Sequence, residues 1–201
     1  MSYTHRGQPV KSLPKILYGT RSEAGELPLF RTGKMDKSCW HQITEMPDCL
    51  TSVAASIAER FSVPQPNHVW ANFYGADSWI PVHQDQPFSQ EATGPFEDAQ
   101  TVFILSVGAQ RPLCITTLGC KGAVDRDDME VVAEVPMAEG SLFRLAPRLN
   151  TAYGHGIPKT AEPGGLRVSF VFRCVQKAVV HPEERYWREV KKGKAGKRQP
   201  L

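Results

Sequence analysis

The stretch LRVSFVFRC, Leu166–Cys174, places Val168, Phe170 and Phe172 on one parity and Arg167, Ser169, Val171 and Arg173 on the other. Successive side chains of a strand point to opposite faces, so this reads as a β-strand with one apolar face and one face carrying two cations. The arginine face has two readings. It is either a solvated exterior or the lining of a cavity that binds a small dianion, because a planar guanidinium meets a carboxylate in bidentate fashion. Six further segments read as strands: Val69–Tyr74, Ile80–Gln84, Thr101–Val107, Leu113–Leu118, Met129–Val135 and Ser141–Leu145. Segments 89–98, 119–128 and 158–165 are loops by composition. Seven short strands at this spacing suggest a sandwich or barrel.

One helix stands out upstream. Leu50, Val53, Ala54, Ile57, Ala58 and Phe61 recur at helical spacing, Pro47 and Asp48 suit the first turn, and Pro64 and Pro66 follow the stop. This helix is expected to pack outside the strands. With 201 residues, 41% hydrophobic and 22% charged, the chain has the balance of one globular domain and needs no staple. The net charge of +3 is local. Residues 181–201 hold seven basic and three acidic side chains, so residues 1–180 sum to −1. The domain is expected to span 1–180, followed by a basic, flexible tail over 181–201. Five Cys without a CxxC suit a reducing compartment, hence an intracellular protein, cytoplasmic or nuclear. MSYTHRGQPVKSLPK lacks the apolar core of a secretory signal, and no apolar run approaches the ~18 residues of a membrane span.

The chemistry concentrates in IPVHQD, where His83 and Asp85 lie two apart and can aim at one point. An imidazole and a carboxylate so placed supply two members of the two-His, one-carboxylate triad of non-haem Fe(II) oxygenases. His-x-Asp also occurs by chance, and the triad needs a second His. Among the others, His155 follows a strand and lies between Gly154 and Gly156, which leave room for a ligand or metal. The alternative is a solvent-exposed loop histidine. His68 and His181 read as surface residues. Asn72 and Tyr74, of like parity, could add hydrogen bonds. Taken together, His83, Asp85 and His155 would hold Fe(II) while Arg167 and Arg173 grip a dicarboxylate. That combination describes an Fe(II)/2-oxoglutarate dioxygenase on a mainly β fold with flanking helices, the double-stranded β-helix or jelly roll.

Asn-Phe-Tyr (72–74), His-Gln-Asp (83–85), the distal Gly-His-Gly-Ile-Pro-Lys and Arg-Val-Ser-Phe-Val-Phe-Arg resemble the AlkB family of dioxygenases. Its pattern is Asn-x-Tyr, HxD, a distal His and Arg-x5-Arg, and the resemblance spans about residues 12–175. Upstream, Pro14-Lys15, Tyr18-Gly19 and Phe30-Arg31-Thr32-Gly33 are similar to the substrate-lid segment of base-repairing members, which marks about 12–45 as lid-like. The resemblance implies that His83, Asp85 and His155 hold the iron. Arg167 would salt-bridge the distal carboxylate of 2-oxoglutarate with Tyr74 beside it, Arg173 would lie near the metal-proximal carboxylate, and Asn72 would hydrogen-bond the cosubstrate. It further implies O2-dependent decarboxylation of 2-oxoglutarate to succinate and CO2. A methyl group on a base nitrogen is hydroxylated and leaves as formaldehyde. Alkylated DNA or RNA is then the partner, of a monomer, with no membrane. The stacking aromatic would be Phe30, with Trp40 second, each equally readable as a packing residue. The cations in 191–198 could add phosphate affinity, solubility or a localisation signal.

Two departures bear on substrate. Pro87 stands where several base-repairing members have an acidic residue, and Ser169 and Val171 lie between the two arginines. An alternative therefore keeps the iron chemistry but acts on a protein, lipid or small molecule. A jelly-roll binding module without catalysis is a third reading, and would require one of the metal or cosubstrate positions to be broken. None is.

Overall fold

Alternation gives the segment Arg167–Arg173 two unlike faces, and each of them packs on a different layer. The computed structural model describes residues 2–5, 8–11, 13–23, 25, 27–28, 43–85, 101–118, 129–159, 165–175 and 178–179. In chain order the elements are β1 (Ser2–His5), β2 (Gln8–Lys11), β3 (Lys15–Gly19), β4 (Leu27–Pro28), β5 (Ile43–Glu45), α1 (Asp48–Phe61), β6 (His68–Tyr74) and β7 (Ile80–His83). They continue with β8 (Val102–Gly108), β9 (Arg111–Thr116), β10 (Val131–Met137), β11 (Leu142–Leu145), α2 (Pro147–Ala152), β12 (Gly154–Ile157), β13 (Arg167–Arg173) and β14 (Ala178–Val179). Six strands form one sheet in the order β11-β8-β13-β6-β3-β5, and four form another in the order β10-β9-β12-β7. Every pairing in these two sheets is antiparallel except β3 with β5. The fold is a jelly roll.

The six-stranded sheet is covered on both faces. On the inner side Tyr74, Ile104 and Val171 pack with Leu113, Ile115 and Ile157 of the four-stranded sheet. On the outer side Val69, Phe103 and Phe172 pack with Leu50, Ala54 and Ile57 of α1. The helix therefore buries the stripe expected of it, and each buried Leu or Ile contributes about 1.5–3 kcal/mol by leaving water. Asp48 in its first turn and Arg60 in its last complement the helix dipole. The apolar parity of β13 faces this helix, and its arginine parity faces the interior. Arg167, Ser169, Val171 and Arg173 are all buried.

Several elements differ from expectation. Lys15–Gly19 and Ile43–Glu45, inside the segment read as lid-like, are strands of the six-stranded sheet. His155 does not follow a strand; it sits in one, β12. Nor do its flanking glycines leave space for a ligand. A Cβ on Gly156 would lie 2.8 Å from the Ile80 carbonyl oxygen and 3.0 Å from the Val82 nitrogen, and one on Gly154 would lie 2.6 Å from a Val82 methyl. The glycines let β12 lie against β7. Segments 89–98 and 119–128, the middle of 158–165, and the tail from 181 onward fall outside the described residues.

Gly156→Ala is accordingly expected to lower stability by about 1–3 kcal/mol, as overpacking does. The thermal midpoint should fall by about 2–4 °C per kcal/mol. Gly75→Ala, whose new Cβ would meet only the Ser78 hydroxyl at 3.8 Å, should leave the midpoint near wild type. Differential scanning calorimetry of the two variants checks the contrast.

Candidate functional site

β7 ends at His83, and β12 runs antiparallel to it with His155 directly opposite His83. Opposed residues of a strand pair project to one face, so the two rings meet with centroids 4.4 Å apart. The pairing is irregular. Ile157 opposes Ile80, so two steps on β12 match three on β7 and the extra residue falls at Pro81–Val82. Proline is tolerated there because β7 is the edge strand among the described residues and a bulge needs no ladder donor from it. Asp85 follows His83 by two, with Oδ1 3.6 Å from His83 Nε2. One ligand atom from each of His83, Asp85 and His155 lies within 4.8 Å of the others.

Protonation states are set by what surrounds each group. His83 Nδ1 donates to the Pro81 carbonyl at 2.9 Å, which leaves Nε2 facing the cluster. Burial alone would lower the His83 pKa, but the hydrogen bond and charge of Asp85, with the Pro81 carbonyl, raise it above the ordinary imidazole value. His155 is 5% exposed, and burial, with the neighbouring His83 and Arg173 charges, brings it down to about 4. It is therefore a neutral donor at physiological pH. Burial would raise the Asp85 carboxyl, yet the Arg173 guanidinium and the two imidazoles hold it well below the usual carboxylate range. Arg173 Nη2 donates to Asp85 Oδ2 at 3.2 Å, so the second carboxylate oxygen stays turned toward the histidines.

Arg167 lies on the same cavity, 2% exposed. Its Nε donates to the Ser106 hydroxyl at 2.9 Å, and its guanidinium carbon sits 4.6 Å from the Tyr74 ring centroid. Nη1 has no hydrogen-bond partner among the described residues. A buried cation without a counterion is costly, so this position asks for an anion. Ser169 donates to the Tyr74 hydroxyl at 3.4 Å and accepts from Asn72 at 3.5 Å, joining the two β6 side chains across the strand pair. Two imidazoles, that of His83 once it releases its proton to an incoming ion, and an ionised carboxylate fit a divalent ion of the iron type. The guanidinium beside them fits a carboxylate of a small acid. Sites of this chemistry on a jelly roll define a class, the non-haem metal oxygenases.

The family model described as the 2OG-Fe(II) oxygenase superfamily matches residues 1–173, and the chain belongs to that superfamily. Its cofactors are Fe(II), 2-oxoglutarate and O2. The fold is AlkB-like: the chain matches a solved structure, "The structure of OsALKBH1", with a TM-score of 0.50 and 15% identity over 86% of this chain and 84% of that one. No curated protein matches the chain.

Sequence reasoning missed four contributors. Ser106 and Arg111 are buried. Arg111 donates to the carbonyls of Gly75, Ala76 and Ser78, ordering the turn that leads into β7. Asn150 pairs with the backbone of Asp85, and Gln84 donates to the carbonyls of Asn150 and Thr151. His68, expected at the surface, is fully buried, and lies opposite Arg173 in the β6–β13 pair. Its alternation with Asn72 and Tyr74 is the signal that would have placed it inside. Phe30, Trp40 and Pro87 lie outside the described residues. No helix among the described residues is long and apolar enough to cross a membrane.

In the metal-free protein, imidazole signals followed by NMR should titrate separately: His83 above the ordinary value of 6.5 and His155 near 4. Protonated His83 then adds stability below its unfolded pKa, lost as pH rises through the raised folded value. Asp85→Asn removes the carboxylate that raises His83, so its midpoint should drop.

Proposed function

We propose that the chain is an intracellular, monomeric AlkB-type demethylase that removes alkyl groups from base nitrogens in DNA or RNA. His83, Asp85 and His155 act as its iron ligands. The observation that carries the reading is the placement of that cluster and the buried guanidinium of Arg167 on one cavity. Bound Fe(II) supplies the redox chemistry that couples O2 and 2-oxoglutarate to hydroxylation of the alkyl carbon, with succinate, CO2 and formaldehyde as products.

The protein's own work is positional. His83 and His155 donate neutral nitrogen lone pairs, and Asp85 contributes one anionic oxygen while Arg173 keeps the other engaged. Arg167, stacked on Tyr74 and tethered by Ser106, receives the distal carboxylate of 2-oxoglutarate. Asn72 donates to the cosubstrate, and Arg173 adds positive charge beside its metal-proximal end. The nucleic-acid part rests on the AlkB-like pattern together with the Tyr18-Gly19 and Phe30–Gly33 segments. Phe30, and after it Trp40, is the candidate ring for stacking on the extruded base. Pro87 favours a second reading, the same chemistry on a protein, lipid or small molecule.

Formaldehyde release from methylated single-stranded DNA, methylated RNA and a methylated peptide separates the two. Turnover of an oligonucleotide is expected, with none by Asp85→Ala. A stacked ring contributes about 1–3 kcal/mol per base, so Phe30→Ala should weaken oligonucleotide binding about 5- to 150-fold. Uncoupled 2-oxoglutarate decay should be spared. Turnover of the peptide alone would overturn the nucleic-acid assignment and leave the iron chemistry standing.

A further inference from the structure

We infer that Asn150 and Gln84 form a reciprocal lock that fixes the backbone of Asp85 against the segment carrying His155, making Asn150 a positioning residue for the metal site. The inference rests on the reading of His83, Asp85 and His155 as metal ligands. Asp85 lies beyond the last residue of β7, so no sheet ladder holds it. Its backbone is held by one side chain instead. The Asp85 N–H donates to Asn150 Oδ1 at 2.8 Å, and Asn150 Nδ2 donates to the Asp85 carbonyl at 2.7 Å. A primary amide offers a donor and an acceptor side by side, so it stands in for the edge of a neighbouring strand.

The return half of the lock comes from the residue between the two ligands. Gln84 Nε2 donates to the carbonyls of Asn150 at 2.7 Å and Thr151 at 2.9 Å. Those carbonyls belong to the last turn of α2, where the helix provides no partners of its own. No residue of α2 is fully buried and only Leu149 packs against the core, so these polar bonds add to a modest apolar anchorage. One residue, Tyr153, separates α2 from the strand that carries His155. Four short hydrogen bonds thus connect segments some 65 positions apart, and those segments supply all three ligands. At the other end of Asp85, Arg173 holds Oδ2. Backbone and side chain are both constrained, and Oδ1 is left for the ion.

Outer residues that orient metal ligands typically account for 10–100-fold in metal affinity. The test is a Co(II) titration of the full-length, metal-free protein, read by visible ligand-field absorption, with the thermal midpoint of each metal-free variant measured alongside. Asn150→Ala should raise the Co(II) dissociation constant by about 10–100-fold and change the band shape, with the metal-free midpoint close to wild type. Gln84→Ala should shift the constant the same way by a smaller factor, and it carries the test if Asn150→Ala fails to fold. An unchanged constant and spectrum in a folded variant overturns the lock. So does weakened binding accompanied by an equal loss of metal-free stability, which marks a structural role only. Asp85→Ala distinguishes the two levels: if it binds Co(II) as well as wild type, the ligand reading itself has failed.

Discussion

The antiparallel pairing of β7 with β12 is the constraint on which the site depends. A one-residue slip in a strand pair turns every side chain to the other face, so the register that opposes His155 to His83 decides whether there is a cluster at all. Gly156 permits that register by letting the β12 backbone approach that of β7 where a Cβ would collide, and Gly154 leaves room for the Val82 and Thr116 side chains. The bulge at Pro81–Val82 then supplies the carbonyl that fixes the His83 tautomer. Packing and coordination chemistry are here one problem with one solution.

Three buried arginines show how the interior treats positive charge. Arg111 spends its guanidinium on main-chain carbonyls and orders a turn. Arg173 is paired with Asp85, and burial, partly offset by that carboxylate, lowers its pKa. Arg167 has only a serine hydroxyl and an aromatic ring among the described residues. The last arrangement is the one that a bound dicarboxylate improves most, because it gives the buried cation its counterion. On the proposed role of Arg167, binding of the cosubstrate and stability of the fold are coupled through this residue.

Much of this was legible in the sequence, wherever periodicity alone decides the outcome. The stripe from Leu50 to Phe61 and the two parities of Leu166–Cys174 marked a helix and a strand with two unlike faces, and left open whether the arginine face lined a cavity or met solvent. The same alternation, extended one residue earlier than Val69, would have brought His68 inside. What stayed illegible depends on through-space contact. Gly-His-Gly-Ile has no β-branched run before its final residue, and it is a strand only because β7 and β9 lie on either side. The six residues of α2 show no amphipathic period, and Asn150 acquires its meaning from a backbone 65 positions away. Ser106 looks like any strand serine until Arg167 is placed across from it.

The most direct test is a crystal structure with Mn(II) and 2-oxoglutarate under anaerobic conditions, the ion located by anomalous scattering. One ion should be coordinated by His83, Asp85 and His155, with the distal carboxylate of 2-oxoglutarate on the Arg167 guanidinium. An ion bound elsewhere, or a cosubstrate that leaves Arg167 untouched, would contradict the account.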